Sequence, residues 1–380
     1  MKKQKICIIG DGLSGLTTAL ILKKLDVNID IYYSKKSISL NQDIRTTAIS
    51  NSNLNFLKES LGKINNRIFW PCNEVKLYYE HNEKYSNFLN INKNKHISMH
   101  IVENQKFRKV LLNKLKVNNV RFINKKVDKI NVQKEFIQTN KVKAFYDIII
   151  LCLGSKSNFY QELTDERSIK KDYHEVAISG TVKHNIKLNN SIQYFFKEGP
   201  FAILPFKEKY LSFVWSLNKS FYNLNKKKLD NLIKKKLDII LGTKKRILVS
   251  KISSYPLYMN LQTRYYKKNF LILGEGLHSI HPIAGQGFNL FLRDIKKLYE
   301  NIKSSLELGL PLKNSLILKN FSDSRKPENT ILSIGIDLTN SFFKKNNFLD
   351  FVKFSFLKRI KDSKRIKNLS TIISDSGFNK

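Results

Sequence analysis

A short apolar run, Ile6-Cys7-Ile8-Ile9, leads directly into Gly10-Asp11-Gly12-Leu13-Ser14-Gly15, and residues Leu16 to Leu25 then follow helical spacing. This strand–turn–helix context constrains the fold more than any other feature of the chain. Lys5 to Ile9 reads as a buried strand. Gly10 permits a tight turn, Gly12 lets backbone approach a pyrophosphate, and Gly15 lets helix and strand pack closely. The start of the helix offers free N–H groups and the positive end of its dipole to phosphates. The bland alternative is a glycine-rich turn without ligand.

A second segment has the same grammar. Asn269 to Leu273 is apolar and strand-like, and Gly274-Glu275-Gly276-Leu277-His278-Ser279-Ile280-His281-Pro282-Ile283-Ala284-Gly285-Gln286-Gly287 follows, before a helix expected from Phe288 to Leu298. Glu275 at the strand end can accept hydrogen bonds from ribose-type hydroxyls. Pro282 stiffens the loop. Gly285, Gln286 and Gly287 let backbone N–H groups face a ligand, and the helix start can stabilise negative charge there. An ordinary loop needs neither two glycines nor an acid beside a proline. His278 and His281 flank Pro282, and no catalytic role is assigned to either.

Together these residues resemble the class A flavin monooxygenases, the aromatic hydroxylases, and within them the ubiquinone-biosynthesis hydroxylases that oxidise polyprenylated phenols. His281-Pro282-Ile283-Ala284-Gly285-Gln286-Gly287-Phe288-Asn289-Leu290, closing with Arg293-Asp294, is close to that subfamily's version. Asp43-Ile44-Arg45-Thr46-Thr47-Ala48-Ile49-Ser50 is similar to its Arg-containing segment. Val102-Glu103-Asn104-Gln105 with Arg108 is similar to its helix beside the flavin. Gly199 to Pro205 and Ser212 to Trp215 are similar to its substrate-domain sheet. The likeness spans nearly the whole chain and is weakest in the last fifth.

The resemblance implies FAD as cofactor, NADH or NADPH as co-substrate, and O2 with a polyprenylated phenol as reactants. Reduced flavin would form a C4a-hydroperoxide that oxygenates the ring. Gly10, Gly12 and Gly15 would hold the pyrophosphate, Glu275 the ribityl or pyrophosphate region, and Arg45 and Arg108 would supply charge near the flavin. Pro282 would sit at the reacting edge, with Gly285 to Gly287 over the pyrimidine side; Pro282 and Arg45 are the expected catalytic positions. Gly154, Gly274, Gln286 and Asn289 complete the expected cofactor-binding set. Four departures stand out. Tyr33-Ser34 replaces the acid that ends the second strand (Val27 to Tyr33), Leu153 replaces Asp before Gly154, Glu275 stands where Asp is usual, and Gly276-Leu277 replaces two alanines. These leave open a degenerate flavin-fold scaffold in a quinone-biosynthesis complex. A related flavin reductase or halogenase is a further alternative, but the halogenase string Trp-x-Trp-x-Ile-Pro does not occur, Trp70 and Trp215 being isolated.

The expected architecture is α/β: a Rossmann-type FAD-binding domain (1–70, 100–160 and 266–320) interleaved with a mixed or antiparallel-sheet substrate domain (71–99 and 161–265), plus a C-terminal helical segment (321–380). Ser191 to Phe195 and Phe201 to Leu204 read as antiparallel strands. Leu229, Leu232, Ile233, Leu237, Ile240 and Leu241 form a helical stripe, expected to be core. A pocket is expected at the seam between the domains. The net charge of +37 comes mostly from dispersed lysine beside abundant Asn and Ile. It fits compositional bias with solvated faces better than nucleic-acid binding, and no nucleic-acid partner is expected. Ser341 to Asp362 mixes Phe and Lys, which fits either a helix packed on the domain or one docked on anionic lipid. No run of about 18 apolar residues occurs, the N-terminal run is too short for a signal peptide, and Cys7, Cys72 and Cys152 lack metal or disulfide spacing. No metal is expected. The expected location is cytoplasmic, with peripheral contact on the inner face of the cytoplasmic membrane.

Overall fold

The computed structural model describes residues 3–34, 43–62, 68–81, 84–92, 97–116, 120–164, 168–242, 248–250, 252–344 and 350–378. Lys5–Ile9 is the strand the apolar run requires, and it lies between Ile148–Leu151 and Asn28–Tyr33 in parallel register. Val120–Asn124 extends this sheet beyond Asn28–Tyr33, Phe270–Ile272 extends it beyond Ile148–Leu151, and antiparallel Tyr266–Lys267 closes that edge. Ile6 to Ile9 and Ile148–Leu151 are apolar without alternation, as strands covered on both faces must be, whereas Asn28–Tyr33 carries the buried Asp30. Helix Leu13–Leu22 begins three residues before the helical spacing suggested, with Gly12 as its cap, and Gly15 to Leu22 are all buried. It packs against helices Asn104–Leu115 and Gly287–Glu307.

The larger sheet is built mainly from the middle of the chain. Its order is His278–Ser279, Ser253–Gln262, Ser168–Lys183, Tyr210–Asn218, Gly199–Lys207, Ser191–Phe196, Val75–His81 and Lys84–Ile91, with Leu248–Val249 pairing beside Ser168–Lys183. Only Ser191–Phe196 and Val75–His81 run parallel, so the sheet is mixed. Helix Leu229–Leu241 covers one face and buries Leu229, Ile233, Leu237 and Ile240, in a core with Phe201, Phe213 and Trp215. The stripe read from the sequence is therefore core. A third sheet of Thr46–Ser50, Met99–Glu103 and Trp70–Cys72 lies between the two larger ones.

Three helices end the chain: Ser315–Lys344, which contains Pro327, then Asp350–Asp362 and Lys364–Ser376. Phe343 stacks on Phe195 at 3.7 Å, Phe354 approaches Tyr79 and His81, and Leu357 is buried. These side chains pack on the large sheet. Phe356 and Phe354 keep about half their surface in solvent. Phe348 and Leu349 lie outside the described residues.

Candidate functional site

The N-terminal glycines divide into two kinds. Gly10 has φ +118°, and a methyl group there would lie 2.3 Å from the Cys152 carbonyl oxygen; one on Gly15 would lie 2.0 Å from the Gly10 carbonyl oxygen. Both are needed for backbone to touch backbone. Gly12 is different: its φ is an ordinary −70°, and a methyl group would meet nothing within 4 Å. Gly154, across the turn, faces open space in the same way. The cap residue of helix Leu13–Leu22, Gly12, offers its first-turn N–H groups no side-chain acceptor. Open space before uncapped donors at a helix start suits a pyrophosphate, and the residues present fit the cofactor that the motif implies. Arg108 Nη2 donates to Asp11 Oδ2 at 2.7 Å and neutralises the one carboxylate of the turn.

Arg45 immediately precedes strand Thr46–Ser50. Its Nε and Nη2 donate to the Asp43 carboxylate at 2.8 and 2.9 Å, and Asn104 Nδ2 donates to the same carboxylate at 3.0 Å. Burial alone would raise the Asp43 pKa; the hydrogen bonds and charge of Arg45 outweigh it and hold the carboxyl below its usual range. The Arg45 guanidinium stays charged, raised by Asp43 and further by the field of Glu275, and it lies 6.0 Å from the centre of the Tyr255 ring. Arg45 and Glu275 thus share one electrostatic neighbourhood. Glu275 is exposed in the short 3₁₀ turn Gly274–Gly276.

The second glycine loop closes over this neighbourhood. Gly285 has φ +62°, and a methyl group there would press on Ala48 at 2.9 Å. Asn289 fixes that approach: its Nδ2 donates to the Ala48 and Gly285 carbonyls at 3.0 and 3.1 Å, and its Oδ1 accepts from Ser50 N and Asn53 Nδ2 at 2.8 and 3.0 Å. The Asn289 side chain is thus taken up inside the protein and shapes the loop. Gln286 is buried, and helix Gly287–Glu307 starts without a side-chain cap. Between this loop and the large sheet lies a cavity of about 130 Å³, lined by Arg45, Pro282 and Gly285 on one side and by Gln193, Ser212 and Tyr255 on the other, with Ile192, Ile203, Val214 and other apolar walls. Its walls come from the large sheet, from the small sheet through Thr46, Ala48 and Met99, and from the Pro282 loop.

The departures have local accounts. Asp30, the acid within the second strand, is buried and accepts from Arg121 and Tyr146, so it cannot replace the missing acid at the strand end. Leu153 packs against the core, and the Tyr160 hydroxyl donates to its carbonyl at 2.7 Å. That hydroxyl also fills the space beside Gly276, where a methyl group would sit 2.1 Å from it. Gly276 and Tyr160 are therefore a matched pair.

Two buried clusters escaped the sequence reading. His278 Nε2 lies 2.6 Å from Asp294 Oδ2, and Asp294 Oδ1 accepts from Arg325 Nε at 2.8 Å and Asn329 Nδ2 at 3.0 Å. Arg325 also pairs with Glu328, which lies 3.7 Å from Arg293. His281 Nε2 lies 2.8 Å from Glu175 Oε2, and Lys344 pairs with the other oxygen. Arg293-Asp294 was visible as the end of a motif. Its partners, tens of residues away, carry no local signal.

Curated relatives align with part of the chain. The ubiquinone biosynthesis monooxygenase COQ6, mitochondrial, of Dictyostelium discoideum is 26% identical over 232 residues, covering 47% of this chain and 46% of that protein. The 3-demethoxyubiquinol 3-hydroxylase of Escherichia coli is 28% identical over 158 residues, covering 40% of each. The chain thus spans less than half the length of these curated relatives. The crystal structure of p-nitrophenol 4-monooxygenase PnpA from Pseudomonas putida DLL-E4 matches over 100% of this chain and 99% of its own, with TM-score 0.79 and 14% identity, a likeness of fold. The family model described as the FAD binding domain matches residues 3–308, which include both glycine loops, Arg45 and the large sheet, and the chain belongs to that family.

Proposed function

We propose that this protein is an FAD-dependent monooxygenase that hydroxylates the aromatic ring of a polyprenylated phenol in ubiquinone biosynthesis, with NADH or NADPH as electron donor and O2 as oxidant. The observation that carries this reading is the cavity between the Pro282 loop and the large sheet, with Arg45 at its wall. Bound flavin, once reduced, supplies the activation of dioxygen that no side chain can. The chain's own residues bind, orient and exclude water. Gly12, Gly154 and the uncapped helix start hold the pyrophosphate. Arg45 and Glu275 lie toward the rest of the cofactor, with Arg108 balancing Asp11 at the turn. Gly274 gives Glu275 its turn, and Gly285, Gln286 and Gly287 supply backbone donors. Pro282 faces the reacting position. Ser212, Gln193 and Tyr255 are the polar groups able to orient a phenol, while the apolar walls suit a prenylated ring.

The purified protein is expected to show flavin absorbance bands near one FAD per chain after desalting. Its NAD(P)H oxidation should rise on adding a prenylphenol, with a product heavier by one oxygen. A colourless protein that rejects added FAD would overturn the reading. The specific observations favouring a second reading, a scaffold in a quinone-biosynthesis complex, are Leu153 and the absence of an acid at the end of strand Asn28–Tyr33; that same colourless result would support it.

A phenol with a prenyl tail dissolves in lipid, so a cytoplasmic enzyme docked on the inner face of the cytoplasmic membrane fits the reading. Among the described residues no helix is long and apolar enough to cross a membrane. Helix Ser315–Lys344 instead exposes Ile331, Ile334 and Leu338 at helical spacing, in a chain of net charge +37. Co-sedimentation with anionic vesicles, weakened when Ile334 and Leu338 are changed to Ser, would support docking through that face. Equal binding by the variant would remove it.

A further inference from the structure

Beside the Pro282 loop lies a set of buried ionisable groups that the pocket does not use. His281 has no exposed surface, and its Nε2 lies 2.8 Å from Glu175 Oε2. Glu175, 4% exposed, receives Lys344 Nζ on its other oxygen. The Tyr173 ring stands edge-on to the His281 ring at 5.2 Å, and Lys344 Nζ lies 5.4 Å from the centre of the Tyr173 ring. The three polar groups come from three parts of the molecule: the loop that lines the cavity, the long strand Ser168–Lys183 of the large sheet, and the last turn of helix Ser315–Lys344.

The strand breaks its own ladder at this place. Its register against Ser253–Gln262 slips between Asp172 and Glu175, and His174 adopts φ +53°, a region sparsely used by residues with a Cβ. The Asp172 carboxylate accepts from His174 N at 2.8 Å and holds that turn. Bulges of this kind re-aim a side chain, often beside an active site. A carboxylate buried between an imidazole and an ammonium is costly to desolvate and adds little stability over an apolar replacement of the same shape, whereas removing one partner is strongly destabilising. Its value lies in fixing geometry. A carboxylate facing Nε2 sets which ring nitrogen carries the proton and which way the ring points. His281 is covalently next to Pro282, so fixing its ring fixes the start of the loop.

We propose that Glu175 is a positioning residue for the Pro282 loop, held between His281 and Lys344 so that the seating of the C-terminal helix sets the loop against the cavity. The proposal rests on reading that loop as the flavin-facing wall. The carboxyl group is held below its usual range: burial would raise it, and the hydrogen bonds from His281 and Lys344 outweigh that. The arrangement thus joins the end of helix Ser315–Lys344 to the loop through two polar contacts.

The test is hydrogen exchange on the full chain, with and without FAD, in Lys344→Met and Glu175→Gln. Lys171→Met, which breaks the neighbouring exposed pair with Asp337 on the same strand and helix, is the control. Both test variants should raise exchange about tenfold in residues 278–290 and leave the Lys5–Ile9 sheet as protected as in the parent, while the control leaves the loop unchanged. With FAD bound, the visible circular dichroism of the flavin should change in the test variants alone. Lys344→Met removes one partly exposed ammonium and should fold even if Glu175→Gln does not. Unchanged loop exchange in Lys344→Met, or exchange raised equally in both large sheets, would overturn the proposal. If the parent protein takes up no FAD, the functional reading fails, and the cofactor-free exchange still decides this one.

Discussion

At the scale of single residues, the two outer glycines of the first motif and the middle one do opposite work. Gly15 allows backbone to pass backbone, and a methyl group there would strike a carbonyl 2.0 Å away that belongs to the tight turn. Gly15→Ala should therefore destabilise the protein by about 3 kcal/mol, with or without flavin, as overpacking against immovable backbone does. Gly12 has ordinary dihedrals and open space around it, so Gly12→Asp should leave the melting temperature of the flavin-free protein within about 2 °C of the parent. The same substitution should abolish FAD retention by placing bulk and negative charge at the pyrophosphate. Thermal melts without flavin and absorbance near 450 nm after desalting separate the two. A Gly12→Asp protein with normal FAD content would remove Gly12 from the site. The motif already assigns the middle glycine to a pyrophosphate and the outer two to turn and packing; what spacing does not give is how little room Gly10 and Gly15 have and how much lies beside Gly12. Arg45 was likewise legible as a position, whereas its bidentate clasp on Asp43 was not, since both residues could equally have faced water.

At the scale of elements, the strands that pattern marks were found close to where it marks them. Ile148 to Cys152 is unbroken apolar sequence and becomes the central strand Ile148–Leu151, and the stripe from Leu229 to Leu241 becomes the helix covering the large sheet. The second glycine segment leads into helix Gly287–Glu307, nine residues longer than the expected end at Leu298, because its last turns still bury Ile302. Periodicity could not reveal what that helix carries on its inner face. Asp294 is fully buried between His278 and Arg325, and Arg325 comes from helix Ser315–Lys344, which also contains a proline. The sequence pattern draws attention to 341–362; a buried tie to the second glycine segment that it does not mark lies earlier, at 325–329. Burial alone would raise the Asp294 pKa; the charge of Arg325 and the His278 contact outweigh it and hold it low. Asp294→Leu would take from Arg325 one of its two carboxylate partners, leaving Glu328, and from His278 its carboxylate partner, and should cost about 3 kcal/mol, the lower end of the scale for breaking a buried pair. Urea unfolding with an unchanged m-value would measure it. A loss below about 1 kcal/mol would mean that the network relaxes or takes up water.

At the scale of the whole molecule, these buried ionisable groups make stability depend on pH in two windows. His100 sits on strand Met99–Glu103, with only 8% of its surface exposed, and burial, helped by the charge of Lys58, lowers its pKa to about 4. Burial likewise lowers that of His281. An unfolded histidine takes up its proton near pH 6.5. Between pH 6.5 and 4 the unfolded chain therefore binds protons that the folded one does not, and stability falls as pH falls. Asp43, Glu175 and Asp294, held low in the folded state, add their loss only below about pH 4.5, where unfolded carboxylates begin to protonate. For His100 alone the loss from pH 7 to pH 5 comes to about 2 kcal/mol. His100→Phe keeps a buried ring without a titrating group and should flatten the fall in urea-unfolding free energy between pH 7 and pH 5 by about that amount. An unchanged fall would show that His100 is not its source. The consequence reaches the site, because strand Met99–Glu103 pairs with Thr46–Ser50, which follows Arg45 and supplies the Ala48 carbonyl that anchors Asn289 and the Gly285 turn. Protonating His100 would loosen the small sheet between the two larger ones, so mild acid should release flavin from the parent protein before the large sheet unfolds. His100→Phe should retain flavin to lower pH.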